Sequence, residues 1–201
     1  MQVVKYNSAN KIAILSLVQD VFNRGGTVVY PTETSYGLGG DLFSEMAYRK
    51  VLAIKGRPKD KALPVLIAGI NQASSLVKFS ATARQLAEQY WPGPLTLVLP
   101  YNVRPDNQWL PIDSLALRIS SHPLAYEMAK IAARPIISTS ANIAGMGSVY
   151  SIAELLKQLA ERGSKPDLII DAGSLPTVPA STIVKVIDDK IEIIRQGKIK
   201  I

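Results

Sequence analysis

Apolar positions along this chain switch repeatedly between helical and strand spacing, and that alternation predicts an α/β domain with a mixed sheet. Ile14, Leu15, Val18, Val21 and Phe22 share one helical face, with Ser8 as the expected N-cap and Gly25-Gly26 as the stop. Thr27–Tyr30 is a β-branched run that predicts a short strand ending at Pro31. The same reading gives helices over Ser44–Ile54, Asn71–Val77, Ser80–Tyr90 and Pro123–Ala133. Strands are expected over Leu63–Ala68, Leu95–Leu99, Leu115–Ile119 and Ile136–Thr139, with a turn at Trp91–Pro94 and a loop over Tyr101–Asp113. Ser151 and Glu154 form a capping box, each satisfying a free backbone N–H at a helix start. Ile152, Leu155, Leu156 and Leu159 then line one face until Gly163. Leu168–Ile170, Thr182–Ile187 and Ile191–Arg195 are the remaining strands, the last two joined through Asp188-Asp189-Lys190 as a hairpin. Such hairpin steps argue against a purely parallel sheet. No repeat or linker divides the chain, so one domain over residues 1–201 is expected.

Composition narrows the class. Of 201 residues, 47% are hydrophobic and 19% charged, which is a folded chain rather than a disordered one. The longest apolar runs, Ala62–Ile70 and Ile131–Ile137, are too short or too broken by Pro and Arg to span a bilayer. The first residues lack a signal-peptide pattern, so a cytoplasmic location without membrane contact is expected. With no Cys, disulfides, thiolate nucleophiles and cysteine metal sites are excluded, and one His rules out a histidine cluster and argues against a Ser–His–Asp triad. A net charge of +7 fits either simple solubility or anionic partners such as nucleotides or RNA.

Four segments carry candidate chemistry. Pro31–Gly40 follows a strand; its glycines match neither the dinucleotide fingerprint nor a P-loop and read as a strand-to-helix turn, while Thr32-Glu-Thr34-Ser35 offers hydroxyls at a strand end. Lys55-Gly-Arg57-Pro-Lys59-Asp-Lys61 places four cations in seven residues, which suits a polyphosphate and equally a solvated basic loop. Ile136–Asn142 opens an apolar strand into Ser138, Ser140 and Asn142, followed by Gly145 and Ser148, either a donor-rich sheet edge or a polar turn. Arg118 is a lone cation in an apolar strand, which implies a buried partner or an anionic ligand. Ser181-Thr182 and Arg195 are individually weak signals. His122 reads as a helix-start residue before Pro123, and Asp188-Asp189 as a turn rather than a metal site.

Taken in order, PTETSYGLGGD, KGRPKDKAL, WPGPLTLVLP, ALRISSHPL, ISTSANIAG, PASTIVKV and IIRQGKI, spanning Pro31 to Ile199, resemble the YrdC family, also called TsaC, of L-threonylcarbamoyladenylate synthases. The resemblance implies a YrdC-like domain in its short form, with a twisted mixed sheet, flanking helices and a concave ligand cleft. It implies a nucleotidyltransferase that forms threonylcarbamoyl-AMP and pyrophosphate from L-threonine, bicarbonate and ATP with Mg²⁺, for threonylcarbamoyladenosine modification of tRNA. tRNA and a threonylcarbamoyl-transferase are the implied macromolecular partners. By the same resemblance Thr34, Arg118, Ser138 and Ser181 surround threonine, with Arg118 on its carboxylate. Lys55, Arg57, Lys61, Ser140, Asn142, Ser148 and Arg195 hold ATP, and no residue serves as a covalent nucleophile. Two positions depart from the family pattern: Leu66 stands where many relatives have His, and Ala180 where they often have Glu. The alternatives are an RNA-binding YrdC-like module without activity and a carbamoyl-transfer domain of the hydrogenase-maturation kind. The basic Lys55–Lys61 segment lacks the interleaved aromatics that RNA binding favours, and the chain lacks the cysteines of the maturation proteins.

Overall fold

The computed structural model describes residues 1–57, 63–103, 105–107, 109–110 and 113–201. In chain order the strands are β1 (Gln2–Lys5), β2 (Val28–Pro31), β3 (Tyr36–Gly39), β4 (Val65–Leu66), β5 (Leu95–Pro100), β6 (Ser114–Arg118), β7 (Ile136–Ile137), β8 (Thr139–Ser140), β9 (Leu168–Asp171), β10 (Thr182–Ile187) and β11 (Lys190–Arg195). The helices are α1 (Lys11–Asn23), α2 (Glu45–Lys55), α3 (Ile70–Leu76), α4 (Ala81–Tyr90), α5 (Pro123–Ala132) and α6 (Ile152–Leu159), with a 3-10 turn at Ser8–Asn10. None of the described helices is long and apolar enough to cross a membrane.

The single mixed sheet of the sequence reading is in fact two mixed sheets, ordered β1-β9-β2-β3-β8 and β11-β10-β5-β6-β4-β7. The division falls inside the expected strand Ile136–Thr139. Ser138 breaks it, its N–H turned aside to the Pro64 carbonyl at 2.7 Å. β7 therefore pairs with β4 in the second sheet and β8 with β3 in the first. This crossing needs a glycine opposite: a Cβ on Gly39 would lie 2.0 Å from the Ile137 carbonyl oxygen. The glycines of Gly37–Gly40 thus permit close strand packing and belong to a β2–β3 hairpin, not to a strand-to-helix turn.

Both faces of the first sheet's central strands are covered, which is why they read as continuous apolar runs. Val28, Tyr30, Leu168 and Ile170 face α1 and α5, packing with Ile14, Val18, Val21, Leu124 and Met128. Val29, Leu38 and Ile169 face the larger core, with Val51 of α2, Leu155 and Leu159 of α6, and Leu95, Leu97, Leu117 and Val184 of the second sheet. Truncating a fully buried residue there, such as Leu38 or Leu97, would cost about 2–5 kcal/mol. Leu156, expected on the buried face of α6, is 39% exposed, so the apolar stripe is narrower than the spacing suggested.

Local chemistry accounts for most boundaries. Ser44, Ser80 and Ser151 each accept an N–H at a helix start, the last within the expected capping box. The expected Ser8 cap is absent: α1 starts at Lys11 with Asn10 as its N-cap and no side-chain hydrogen bond there. Asn7 instead accepts from Asn10 N–H to cap the preceding 3-10 turn, in a reciprocal pair that an asparagine side chain can close from both ends. The expected strand Leu63–Ala68 shrinks to Val65–Leu66. Asp188 and Asp189 have φ of 48° and 61°, the conformation of a tight hairpin turn between β10 and β11.

Candidate functional site

Between the two sheets lies a cleft of about 580 Å³. The β2–β3 turn, the end of α2, β4, the face of β5 and β6, the Ser138–Ser140 crossing, and the ends of β10 and β11 all contribute lining. Nine sequence-predicted site residues line it: Thr34, Lys55, Arg57, Arg118, Ser138, Ser140, Ser148, Ser181 and Arg195. Asn142 does not. Its Nδ2 donates to Ile143 O at 2.9 Å and also to Met146 O, so the side chain folds its own loop. Lys61 lies outside the described residues.

The β2–β3 turn is organised by Thr32. Its hydroxyl donates to Ser35 O at 2.7 Å, accepts from the Thr34 and Ser35 amides, and lies 3.0 Å from the Thr34 hydroxyl. Such a side-chain-to-backbone knot fixes a short turn that has little else to hold it. Thr34 Oγ1 in turn receives Arg118 at 3.4 Å. Arg118 is 8% exposed and has the buried partner that one sequence possibility required, and it also lines the cleft. That partner is Glu33, with Nη1 3.3 Å from Oε1. No hydrogen bond of normal geometry reaches Oε1, so the contact is an ion pair rather than a bidentate clasp. Ser120 donates to the other oxygen of Glu33. His122 caps α5, accepting from the Leu124 amide at 3.3 Å; burial pushes its pKa down, against an upward pull from Glu33.

Beneath this cluster sits Tyr30, fully buried, its hydroxyl without a hydrogen bond of normal geometry. Burial pushes its pKa up to about 12, and the closeness of Ser138 and the charge of Arg118 offset this only in part. Leu66 is buried in the apolar cluster with Tyr30 and Ile136, while its neighbours Pro64 and Val65 line the cleft. The replacement of His by Leu therefore makes the packing behind the cleft apolar. Ala180 does line the cleft, so this position brings no carboxylate next to Ser181 and Arg195.

At the other side, Lys55 Nζ donates to Ser140 O at 2.5 Å and Asn142 O at 2.8 Å. Burial first, and then the charge of Arg57, bring its pKa down to about 8. Arg195 forks around Ser181, reaching its carbonyl at 3.1 and 2.8 Å and its hydroxyl at 3.1 Å. The same hydroxyl lies 2.9 Å from Thr96 Oγ1. Burial, then repulsion from Arg118, lowers the Arg195 pKa.

Glu33 and Thr96 were not singled out from sequence, and Thr32 only as one of the hydroxyls of Thr32–Ser35. Thr96 had a signal: in Leu95–Leu99 it is the polar residue at a strand alternation whose other member, Val98, also lines the cleft. Glu33 stood among hydroxyls with nothing to indicate its partner eighty-five positions on.

Among the described residues no Asp or Glu lines the cleft, and no His/Cys/Asp/Glu group could hold a metal. The donors present are hydroxyls, carbonyls and cations. They do not fit a resident Mg²⁺, which takes carboxylate and water oxygens, but they do fit a polyanion that carries the ion on its own phosphates.

Comparison with known proteins bears on the family and the fold. Residues 20–197 match the family model Sua5_yciO_yrdC, described as "Telomere recombination". A threonylcarbamoyl-AMP synthase of Pyrococcus abyssi is 35% identical over 175 residues, covering 86% of this chain and 51% of that protein. The chain thus spans about half the length of the curated relative it matches. The crystal structure of P. abyssi Sua5 complexed with L-threonine superposes with a TM-score of 0.83 at 31% identity, over 98% of this chain and 57% of that one. Escherichia coli YciO, at 22% identity, shares the fold with a TM-score of 0.80, over 98% of this chain and 94% of its own.

Proposed function

Because the chain belongs to the Sua5/YciO/YrdC family, we propose that it is a threonylcarbamoyl-AMP synthase, joining L-threonine, bicarbonate and ATP with release of pyrophosphate. The observation that carries the reading is the make-up of the cleft: Lys55, Arg57, Arg118 and Arg195 converge with six or more hydroxyls and, among the described residues, no carboxylate or thiol. The relationship to a synthase and to a threonine-bound structure supports the choice of substrates.

In this reading the threonine amine forms a bond to the carbon of bicarbonate, water leaves, and a carbamate results. A carbamate oxygen then bonds to the α-phosphorus of ATP while the bond to the β-phosphate oxygen breaks. Arg118, held by Glu33, takes the threonine carboxylate, with Thr34 and Ser138 as hydroxyl partners. Arg57, Lys55 and Arg195 face the phosphates, where fixed cations stabilise charge moving onto pyrophosphate. Mg²⁺ enters with ATP and supplies further neutralisation of the phosphates. The adenylate then serves a transferase that modifies tRNA.

The test is pyrophosphate release in the presence of ATP, Mg²⁺, bicarbonate and labelled threonine. Release that depends on threonine and yields a labelled adenylate supports the reading. Release indifferent to threonine, or none, overturns it, and salt-sensitive RNA binding in its place would favour the non-enzymatic module. Trapping a covalent enzyme–adenylate would remove the direct displacement.

A further inference from the structure

Lys55 is the last residue of α2, and it is 4% exposed although it carries a charge. Among the described residues no carboxylate pairs with it. Its ammonium is answered by the carbonyls of Ser140 and Asn142 at 2.5 and 2.8 Å. Its own carbonyl accepts the Ala144 amide at 2.8 Å. One residue thus grips the loop after β8 with both its side chain and its main chain. The loop's other ties lead elsewhere: Ala141 N–H to Tyr36 O at 2.9 Å, and Ile143 N–H to Gln158 Oε1 at 2.9 Å.

We propose that Lys55 is a positioning residue, whose ammonium fastens the Ser140–Ser148 loop to the end of α2 before any ligand arrives. Lysine suits this task. Its stem runs along apolar surface and its head carries three donors, so two can hold carbonyls while the third stays available to a phosphate oxygen. The strap ties two cleft-lining parts of the chain together, Arg57 two residues beyond Lys55 and Ser140 and Ser148 of the loop. Its worth to catalysis rests on the synthase reading, but the strap itself is a property of the ligand-free chain.

The experiment is hydrogen–deuterium exchange on the ligand-free protein, wild type against Lys55→Met, which keeps the stem and removes the donors. The amides of Ala141, Ile143, Ala144 and Met146 should exchange about tenfold faster or more, with those of α1 and β9 little changed. Lys55→Arg, which can still reach two carbonyls, should restore most of the protection. In the pyrophosphate assay Lys55→Met should raise the KM for ATP about tenfold and leave that for threonine within about twofold. Unchanged loop protection, or faster exchange spread evenly over the protein, would overturn the proposal. If Lys55→Met does not fold, the wild-type Nζ protons decide by NMR: slow exchange with solvent supports the strap, and exchange as fast as that of surface lysines refutes it. Normal exchange results with no synthase activity would remove the synthase reading and leave the strap standing.

Discussion

The two ends of the cleft handle positive charge differently. At the Arg118 end a guanidinium faces a carboxylate, Glu33, so the pair is close to neutral. At the Lys55 end the cations Lys55 and Arg57 have no acidic partner among the described residues, and neither has Arg195, which feels the charge of Arg118; Lys55 and Arg195 are held by carbonyls and a hydroxyl. A near-neutral end suits a zwitterion such as an amino acid, and an end with surplus charge suits a polyphosphate. On the proposed synthase function, this difference would separate threonine from ATP by net charge before any detailed contact is made.

The contrast breaks most severely at Glu33. Removing one partner of a buried ion pair leaves the other without compensation, so Glu33→Ala should destabilise the protein by about 3–5 kcal/mol in urea unfolding. A loss below about 1 kcal/mol would mean that Arg118 does not depend on Glu33. Arg57→Ala tests the opposite end. A charged phosphate contact contributes about 1.5–3 kcal/mol, so kcat/KM for ATP should fall about tenfold to a hundredfold with the KM for threonine held. An equal loss for both substrates would erase the distinction between the ends.

Titration sharpens it further. Lys55 has its pKa lowered to about 8 in the folded chain, against about 10.4 when unfolded. Between these values the unfolded chain binds more protons, so stability rises with pH through that window, and the Lys55 contribution is least favourable below it. Wild type should gain on Lys55→Met by roughly 1 kcal/mol per pH unit between about pH 8 and 10, measured by urea unfolding at each pH. A flat difference would mean that the ammonium is not buried as the geometry has it.

How far the sequence revealed this arrangement depended on the range of the interactions. Helix caps and the Asp188–Asp189 turn are settled by neighbours within a few residues: Ser151 was legible as a cap and Ser44 and Ser80 as helix starts, though Ser8 proved not to be a cap. The ordered motifs brought Thr34, Arg118, Ser138 and Arg195 to one cleft. What escaped was long-range. Ser138 breaks its strand because Pro64 offers a carbonyl and Gly39 leaves room, and neither is visible in the run Ile136–Thr139. Glu33 and Arg118 meet only because the β2–β3 turn of one sheet abuts β6 of the other. From sequence the ammonium of Lys55 read as a phosphate contact alone; the carbonyls of Ser140 and Asn142 that engage two of its donors come from a loop eighty-five residues on.

Ser181 gives the smallest effect and the finest discrimination, because it joins the two ends. Its hydroxyl lies between Thr96 Oγ1 and Arg195 Nη2, while its carbonyl separately accepts two bonds from Arg195. Ser181→Ala removes only the hydroxyl, so the carbonyl keeps Arg195 where it is and the phosphate end loses little. Thr96 is 3% exposed and would be left with an unanswered hydroxyl on the threonine side. Losing one neutral hydrogen bond costs about 1 kcal/mol, which predicts a rise of about fivefold in the KM for threonine and less than twofold for ATP. Thr96→Val in the same background should add almost nothing, since the two hydroxyls answer each other. A larger change for ATP than for threonine would mean that the Ser181 hydroxyl, not its carbonyl, holds Arg195, and would move Ser181 to the phosphate end.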